Sequence, residues 1–360
     1  MLSVGIVGLP NAGKSTVFNA LCAGGAKVAE YAFCTIEPNR AVVSVPDARL
    51  EQVARLFGQA RAVPAAVEFV DIAGLVRGAS RGEGLGNQFL AAIRESDAIL
   101  HVIRSFPDHR VAHVDATIDP VRDFETVETE LILADLASVE RRQERLAASL
   151  KAHDPEAEKE AAALSRLAAH LSAGHPARTL PDFPQTLGEV QLFLLTAKPQ
   201  VCLLNTGENQ PEAEVKAMAA ALERRAAGPV VVLAAKLEAD LADLTPEERA
   251  SFREEFGVTD TGLERVIRAC YDCLDLVTFF TGVGAEARAW AVPRGTHIAA
   301  AAGRIHTDLE RGFIRAEVIS FEALRQAGSW QAAVRAGQVR TEGRDYEVRE
   351  GDVVLVRFQP

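Results

Sequence analysis

Apolar positions along the chain fall into three regimes. From Leu2 to about Phe124, short β-branched runs alternate with stretches of helical spacing. SVGIVG, AVEFVDIAG (Ala66–Gly74) and AILHVIRSF (Ala98–Phe106) are nearly continuous apolar runs, the pattern of strands covered on both faces of a parallel sheet. VCLLN (Val201–Asn205) and PVVVLAA (Pro229–Ala235) resume that pattern after a gap. Strands spaced by helical stretches predict a three-layer α/β domain.

The gap has a different period. From about Glu125 to Gly174, Val127, Leu131, Ala134, Val139, Leu146 and Leu150 lie near helical spacing. After a turn at Asp154-Pro155, Leu164, Leu167 and Leu171 continue a second helix. Two long helices joined by a short turn predict an antiparallel coiled-coil arm, assigned to residues 125–195. The arm interrupts the α/β domain, because strands resume after it, and TLPDFPQT (Thr179–Thr186) reads as the hinge back. From Leu276 onward, LVTFF, AWAVP, one helix and a closing DYEVREGDVVLVRF predict a small α+β domain with a terminal hairpin. The expected organisation is therefore residues 1–275, interrupted by 125–195, followed by 276–360.

Composition narrows the setting. A chain of 360 residues exceeds one ordinary core. No apolar run approaches the roughly 18–20 residues of a membrane span, and no basic start leads into a long apolar segment. Neither a membrane anchorage nor secretion is expected. Five scattered cysteines fit reduced thiols in the cytoplasm. A formal net charge of −11 restricts any RNA contact to a local basic patch.

The strongest chemical signal is GLPNAGKST, Gly8–Thr16, between an apolar run and the helix-like TVFNALCAG. Gly8-x4-Gly13-Lys14-Ser15 fits the phosphate-binding Walker A spacing. Glycines allow close backbone approach, and the amides of Asn11, Ala12, Gly13, Lys14, Ser15 and Thr16 are placed to surround phosphate at a helix start. Lys14 is expected to neutralise β/γ oxygens and Ser15 to ligate Mg²⁺. Thr35 in YAFCTIEPN and Asp71 in DIAG complete the predicted Mg²⁺ set, with the Gly74 amide sensing the γ-phosphate. Position 75, where many GTPases carry a water-orienting glutamine, is Leu75, which can neither donate nor accept a hydrogen bond. An Asn11 side-chain oxygen could hold a monovalent cation such as K⁺ beside the phosphates instead.

The guanine-reading pattern N-K-x-D is altered after VCLLN, where the chain reads Asn205-Thr206-Gly207-Glu208. An aspartate there pairs with guanine N1–H and the 2-amino group; adenine offers an acceptor and no amino group at those positions. An unpaired buried polar group costs ~1–3 kcal/mol, so such sites discriminate. With lysine replaced by Thr206 and aspartate by Glu208, ATP is favoured, with Asn205 on N7 and backbone near Thr206 on the 6-amino group. A GTPase remains the alternative.

Taken together, GLPNAGKST, FCTIEPN, DIAGLVRGAS with GEGLGNQFL, Asn205 to Glu208, AAKLEADL, GRIHTDLERGFIRAEVISF and EGRDYEVREGDVV resemble the YchF/Obg-like ATPases of the Obg branch across essentially the whole chain. The resemblance implies a Ras-like P-loop domain with an inserted coiled-coil arm and a C-terminal TGS (ubiquitin-like) domain. It also implies ATP hydrolysis in preference to GTP and association with ribosomes, on the large subunit or the 70S particle, with rRNA contact open; a monomer is expected. Members replace the catalytic glutamine by an apolar residue, in agreement with Leu75, and a loop histidine positions water. His113 matches that role, and His109 competes for it. Cys34 matches a redox-linked cysteine beside Thr35, whereas Ala32 departs from a frequent proline.

Two features are set aside. Cys270-x2-Cys273 has no second Cys or His pair near it, so Cys270 reads as core beside Val266, Ile267 and Leu274. Arg304, His306, Arg311 and Arg315 read as a solvated face, with an rRNA- or protein-docking patch as the alternative. A functional alternative is a nucleotide-gated binding module with negligible turnover.

Overall fold

The computed structural model of the chain describes residues 2–25, 39–72, 85–107, 117–183, 192–242, 244–245, 248, 261–282 and 284–359. Ser3–Val7 (β1) is buried at every position. It pairs in parallel with Ala66–Asp71 (β4) on one side and Ala98–Arg104 (β5) on the other. Gln200–Asn205 (β6) and Val230–Leu233 (β7) extend the sheet in parallel. Arg40–Ser44 (β2) adds an antiparallel edge, giving the order β2-β4-β1-β5-β6-β7. The central strands are near-continuously apolar because helices cover both faces, as their sequence predicts.

Up to Cys273 the chain also forms the helices Lys14–Gly25 (α1), Ala48–Phe57 (α2), Leu85–Glu95 (α3), Pro120–Lys151 (α4), Pro155–Ser172 (α5), Glu212–Glu223 (α6), Ala235–Ala242 (α7) and Gly262–Cys273 (α8). Helix α4 begins before the expected arm boundary at residue 125. Asp119 caps it, accepting from the Val121 and Arg122 amides at 3.1 Å, with Pro120 in the first turn. Its first half belongs to the α/β core. Phe124 packs with Ile103, Cys202 and Leu204, and Val127, Leu131 and Ala134 pack with Phe89, Leu90 and Ile93 of α3. Only farther along do Val139 and Leu146 meet Leu164, Leu167 and Leu171 of α5. Asp135 fixes the changeover. Its fully buried carboxylate accepts from the Leu195 and Thr196 amides at 2.8 Å and from Thr196 Oγ1 at 2.7 Å.

A second six-stranded sheet follows. Leu276–Thr281 (β8), Glu286–Pro293 (β9), Phe313–Ser320 (β10), Arg340–Glu342 (β11) and Asp352–Phe358 (β12) are joined by Arg61–Val63 (β3), a strand from the N-terminal region. The order is β11-β10-β12-β8-β9-β3. The expected terminal hairpin is not formed. β12 instead lies between β10, antiparallel, and β8, parallel, because its buried Val353 and Val354 complete both cores of this sheet. Ile298–Ile305 (α9) covers one face; Phe321–Ala327 (α11) and Trp330–Arg335 (α12) lie with α2 on the other, and Thr307–Arg311 (α10) follows α9.

Pairing of β3 with β9 carries the N-terminal region into the second sheet, so residues 276–359 keep one core of their own and share the other with the N-terminal region. One apolar cluster runs from Leu50 and Val53 through Phe280, Ile319 and Val353. Phe57 meets Trp330 with ring centroids 5.5 Å apart, and Gln59 Nε2 donates to the Gly282 carbonyl at 3.2 Å. Cys270 is fully buried in that cluster beside Val266 and Ile267, and burial pushes its thiol well above the usual range. Arg304, His306, Arg311 and Arg315 are exposed.

Candidate nucleotide site

The loop between β1 and α1 is shaped by two glycines. A Cβ on Gly8 would lie 2.3 Å from the Val102 carbonyl oxygen, so the loop can leave the sheet this tightly only without a side chain. Gly13 has φ +96°, and a Cβ there would lie 2.2 Å from Asn205 Nδ2. Asn11 also adopts a left-handed φ of 63°, which asparagine tolerates better than most residues. Its side chain is exposed and lines the cavity above the loop.

Lys14 is buried, and Nζ donates to the Gly8 and Leu9 carbonyls at 3.2 and 3.0 Å. Burial lowers its pKa, while the nearby Asp71 charge opposes the shift. Ser15 Oγ donates to Asp71 Oδ2 at 3.0 Å, bringing together two predicted Mg²⁺ ligands from α1 and the end of β4. Hydroxyl and carboxylate oxygens are the donor types a hard divalent cation takes.

A cavity of about 860 Å³ runs from this loop to the ends of β5, β6 and β7. Of the predicted nucleotide-binding residues, Asn11, Gly13, Lys14, Ser15, Thr16, Asn205, Thr206 and Glu208 line it. Ala12 does not; it is buried, and its amide donates to the Leu9 carbonyl at 3.3 Å within the loop. Asn205 joins the phosphate and base ends. Its Nδ2 donates to the Ala12 carbonyl at 3.0 Å, and its Oδ1 accepts from the Ala235 amide at 3.1 Å. The Thr206 amide donates to the Leu233 carbonyl at 2.9 Å, so the backbone group Thr206 can turn to a ligand is its carbonyl, an acceptor. Glu208 reaches Lys236 Nζ at 4.0 Å, a contact between two solvent-accessible side chains. The predicted residues Thr35, Gly74 and His113, together with Ala32, Cys34, Leu75 and His109, lie outside the described residues.

Several residues of the base half have no assignment from sequence reasoning, among them Phe106, Lys236 and Gln210. Phe106 lines the cavity, and the Arg104 guanidinium stacks over its ring at 4.7 Å. Lys236 lies within AAKLEADL and faces Glu208. Gln210 ties the turn after β6 to Ser105 at the end of β5. A single polar or aromatic residue in a loop carries no periodic signal; only its position between two strand ends could have singled it out.

Comparisons with known proteins follow this division of the chain. Residues 3–134 match a family model described as "50S ribosome-binding GTPase", and residues 276–359 match the YchF GTPase C-terminal model, described as "Protein of unknown function (DUF933)". A protein named Ribosome-binding ATPase YchF from Bacillus subtilis is 45% identical over 99% of both chains. One of the same name from Escherichia coli O157:H7 is 46% identical over 98% of both. Among solved structures, the Schizosaccharomyces pombe YchF GTPase superposes with a TM-score of 0.84 at 32% identity, covering 99% of this chain and 97% of that one. Full-length identity of this degree, carried by both the phosphate-loop region and the C-terminal sheet, places the chain in the YchF family.

Proposed function

We propose that this chain is a ribosome-associated ATPase that binds ATP in preference to GTP and hydrolyses it slowly as a translation-linked switch. The observation that carries this reading is an intact phosphate loop joined through Asn205 to an altered base loop. Asn205 uses one of its two amide hydrogens on Ala12, and the second suits purine N7. The Thr206 carbonyl suits a 6-amino donor, as in adenine, and not the 6-oxo group of guanine. Glu208, drawn toward Lys236, replaces the aspartate that would pair with the guanine edge.

Mg²⁺ fits Ser15 and Asp71, with Thr35 as the third protein ligand in this reading. When bound it would supply charge neutralisation at the β/γ oxygens. Lys14 adds a fixed positive charge, and exposed Asn11 is the place for a K⁺ ion. His113 takes the water-positioning role that Leu75 cannot. The name that the bacterial relatives carry supports the ribosome, as large subunit or 70S particle, as partner; the protein would act as a cytoplasmic monomer, with rRNA contact through exposed arginines of the C-terminal sheet.

The second reading is a GTPase. It is favoured by the fission-yeast relative, which is called a GTPase, and by the N-terminal family model, which is described as one. Single-turnover hydrolysis of ATP and GTP, with and without ribosomes and K⁺, tests both. The proposal expects faster ATP cleavage when ribosomes are added and a slower chemical step in His113→Ala. Turnover of neither nucleotide under any condition would leave a binding module and contradict it.

A further inference from the structure

We infer that Gln210 is a specificity-positioning residue: it fixes the Thr206–Gly207 backbone against the end of β5 so that the pocket presents an acceptor to the purine 6-position. This rests on the adenine reading above and names a residue that sets it. Gln210 lines the cavity and makes polar contacts at both ends of its amide. Nε2 donates to the Ser105 carbonyl at 3.0 Å. Oε1 accepts from the Gly207 amide at 3.3 Å and from Ser105 Oγ at 3.2 Å. Ser105 Oγ also lies 3.1 Å from the Asn205 carbonyl, so its single proton is shared between that carbonyl and Gln210. The Ser105 amide donates to the same Asn205 carbonyl at 2.9 Å.

The consequence is geometric. The base loop leaves β6 at Asn205 and is held on one side by Leu233 of β7 through the Thr206 amide. On its other side the amide of Gly207 is held by Gln210, which is itself held by β5. Phe106, the next residue after Ser105, sits so close to Gly207 that a Cβ on that glycine would approach Phe106 Cβ to 3.3 Å. One glutamine therefore sets the spacing between the aromatic wall and the backbone that meets the base edge. In the adenine reading the 6-amino group is met by backbone, so discrimination depends on where a carbonyl points. That direction is only as fixed as the loop. A peptide free to rotate can offer its N–H to a guanine 6-oxo group as readily as its carbonyl to an adenine 6-amino group.

The test is the ratio of ATP to GTP dissociation constants for the full-length protein, Gln210→Ala and Gln210→Met, measured by competition with a fluorescent nucleotide in Mg²⁺. Methionine keeps most of the volume and none of the strong hydrogen bonds, so it separates positioning from packing. Losing hydrogen bonds of this kind is expected to weaken ATP binding roughly threefold to tenfold. In both variants the ratio of the ATP to the GTP dissociation constant should rise by at least about threefold, as the preference for ATP is lost. A general loss of stability would lower the melting temperature without moving that ratio. If the parent protein prefers ATP and both variants keep its ratio, or if methionine alone preserves it, the positioning role is wrong and the adenine reading stands. If the parent protein prefers GTP, the adenine reading itself fails, and this inference fails with it.

Discussion

Arg49 binds Asp47, two residues away, and Glu350, 301 residues farther along the chain, through the same guanidinium, at 2.7 and 2.5 Å. Glu350 in turn accepts from the Thr278 amide at 2.7 Å, and Arg49 lies over the Phe280 ring at 5.2 Å. Both carboxylates raise the Arg49 pKa, so the guanidinium stays charged throughout the working range. β2 runs directly into α2, the helix that carries Arg49, so this contact adds to the β3–β9 pairing in fastening the phosphate-site region to the C-terminal sheet.

That fastening predicts the behaviour of two alterations. Arg49→Ala should destabilise the chain by roughly 1–2 kcal/mol, because it leaves a half-exposed Glu350 with only its amide partner. A fragment ending at Asp275 should do worse. It removes β9 from β3 and uncovers Phe57 and the cluster around Leu50 and Val53. Thermal melts of both, followed by circular dichroism, check this; a fragment melting like the full chain would contradict the shared core.

The phosphate loop gives a sterically defined prediction. Gly13→Ala puts a methyl group 2.2 Å from Asn205 Nδ2, at a φ that alanine rarely adopts. The Asn205–Ala12 contact must then break, and nucleotide affinity should fall at least about tenfold, ~1.4 kcal/mol. Gly58→Ala, at a helix end with nothing near its added carbon, is the control for backbone strain alone. Isothermal titration with nucleotide reads both.

Metal dependence should follow Asp71. In Asp71→Asn the carboxylate that meets Ser15 becomes a neutral amide, a poor partner for a hard divalent cation. The gain in nucleotide affinity on adding Mg²⁺ should shrink roughly tenfold or more, ~1.4 kcal/mol, while affinity in EDTA changes far less. Equal losses in both media would assign Asp71 to loop structure and not to the metal.

Acid should expose the buried histidine of β5. His101 stacks on Phe124 at 5.4 Å and lies 3.2 Å from Gln200 Nε2; burial first, then the Arg178 and Lys14 charges, pushes its pKa down to about 3. Its ordinary value is 6.5. Between these values the unfolded chain takes up a proton that the folded chain refuses, so stability falls as pH drops below about 6.5. At pH 5.5 the loss from this residue is about 1.4 kcal/mol. Urea midpoints at pH 7.5 and 5.5, compared with His101→Gln, should show a smaller pH effect in the variant.

Local signals made much of this architecture legible. Five of the six strands of the first sheet are apolar runs, the alternating edge strand β2 being the exception, and the phosphate loop is a spacing of glycines, lysine and serine on a strand–helix junction. Asp119-Pro120 was also a readable helix start, yet the apolar period masked it, because α4 serves the sheet first and the arm afterwards. β3 was not readable. Its three residues have no period, and its partner β9 lies more than two hundred residues away. β12 looked like half of a hairpin, but nonlocal pairing with β8 and β10 buries more of it. Phe106, Lys236 and Gln210 acquire meaning only when the ends of β5, β6 and β7 are placed side by side.

The central claim concerns the base. Competitive titration of ATP and GTP against the purified full-length chain in Mg²⁺ tests it most directly, repeated with Glu208→Asp and Thr206→Lys combined. The account predicts tighter ATP binding by the parent protein and a shift toward GTP in the double variant. Tighter GTP binding by the parent protein would contradict it.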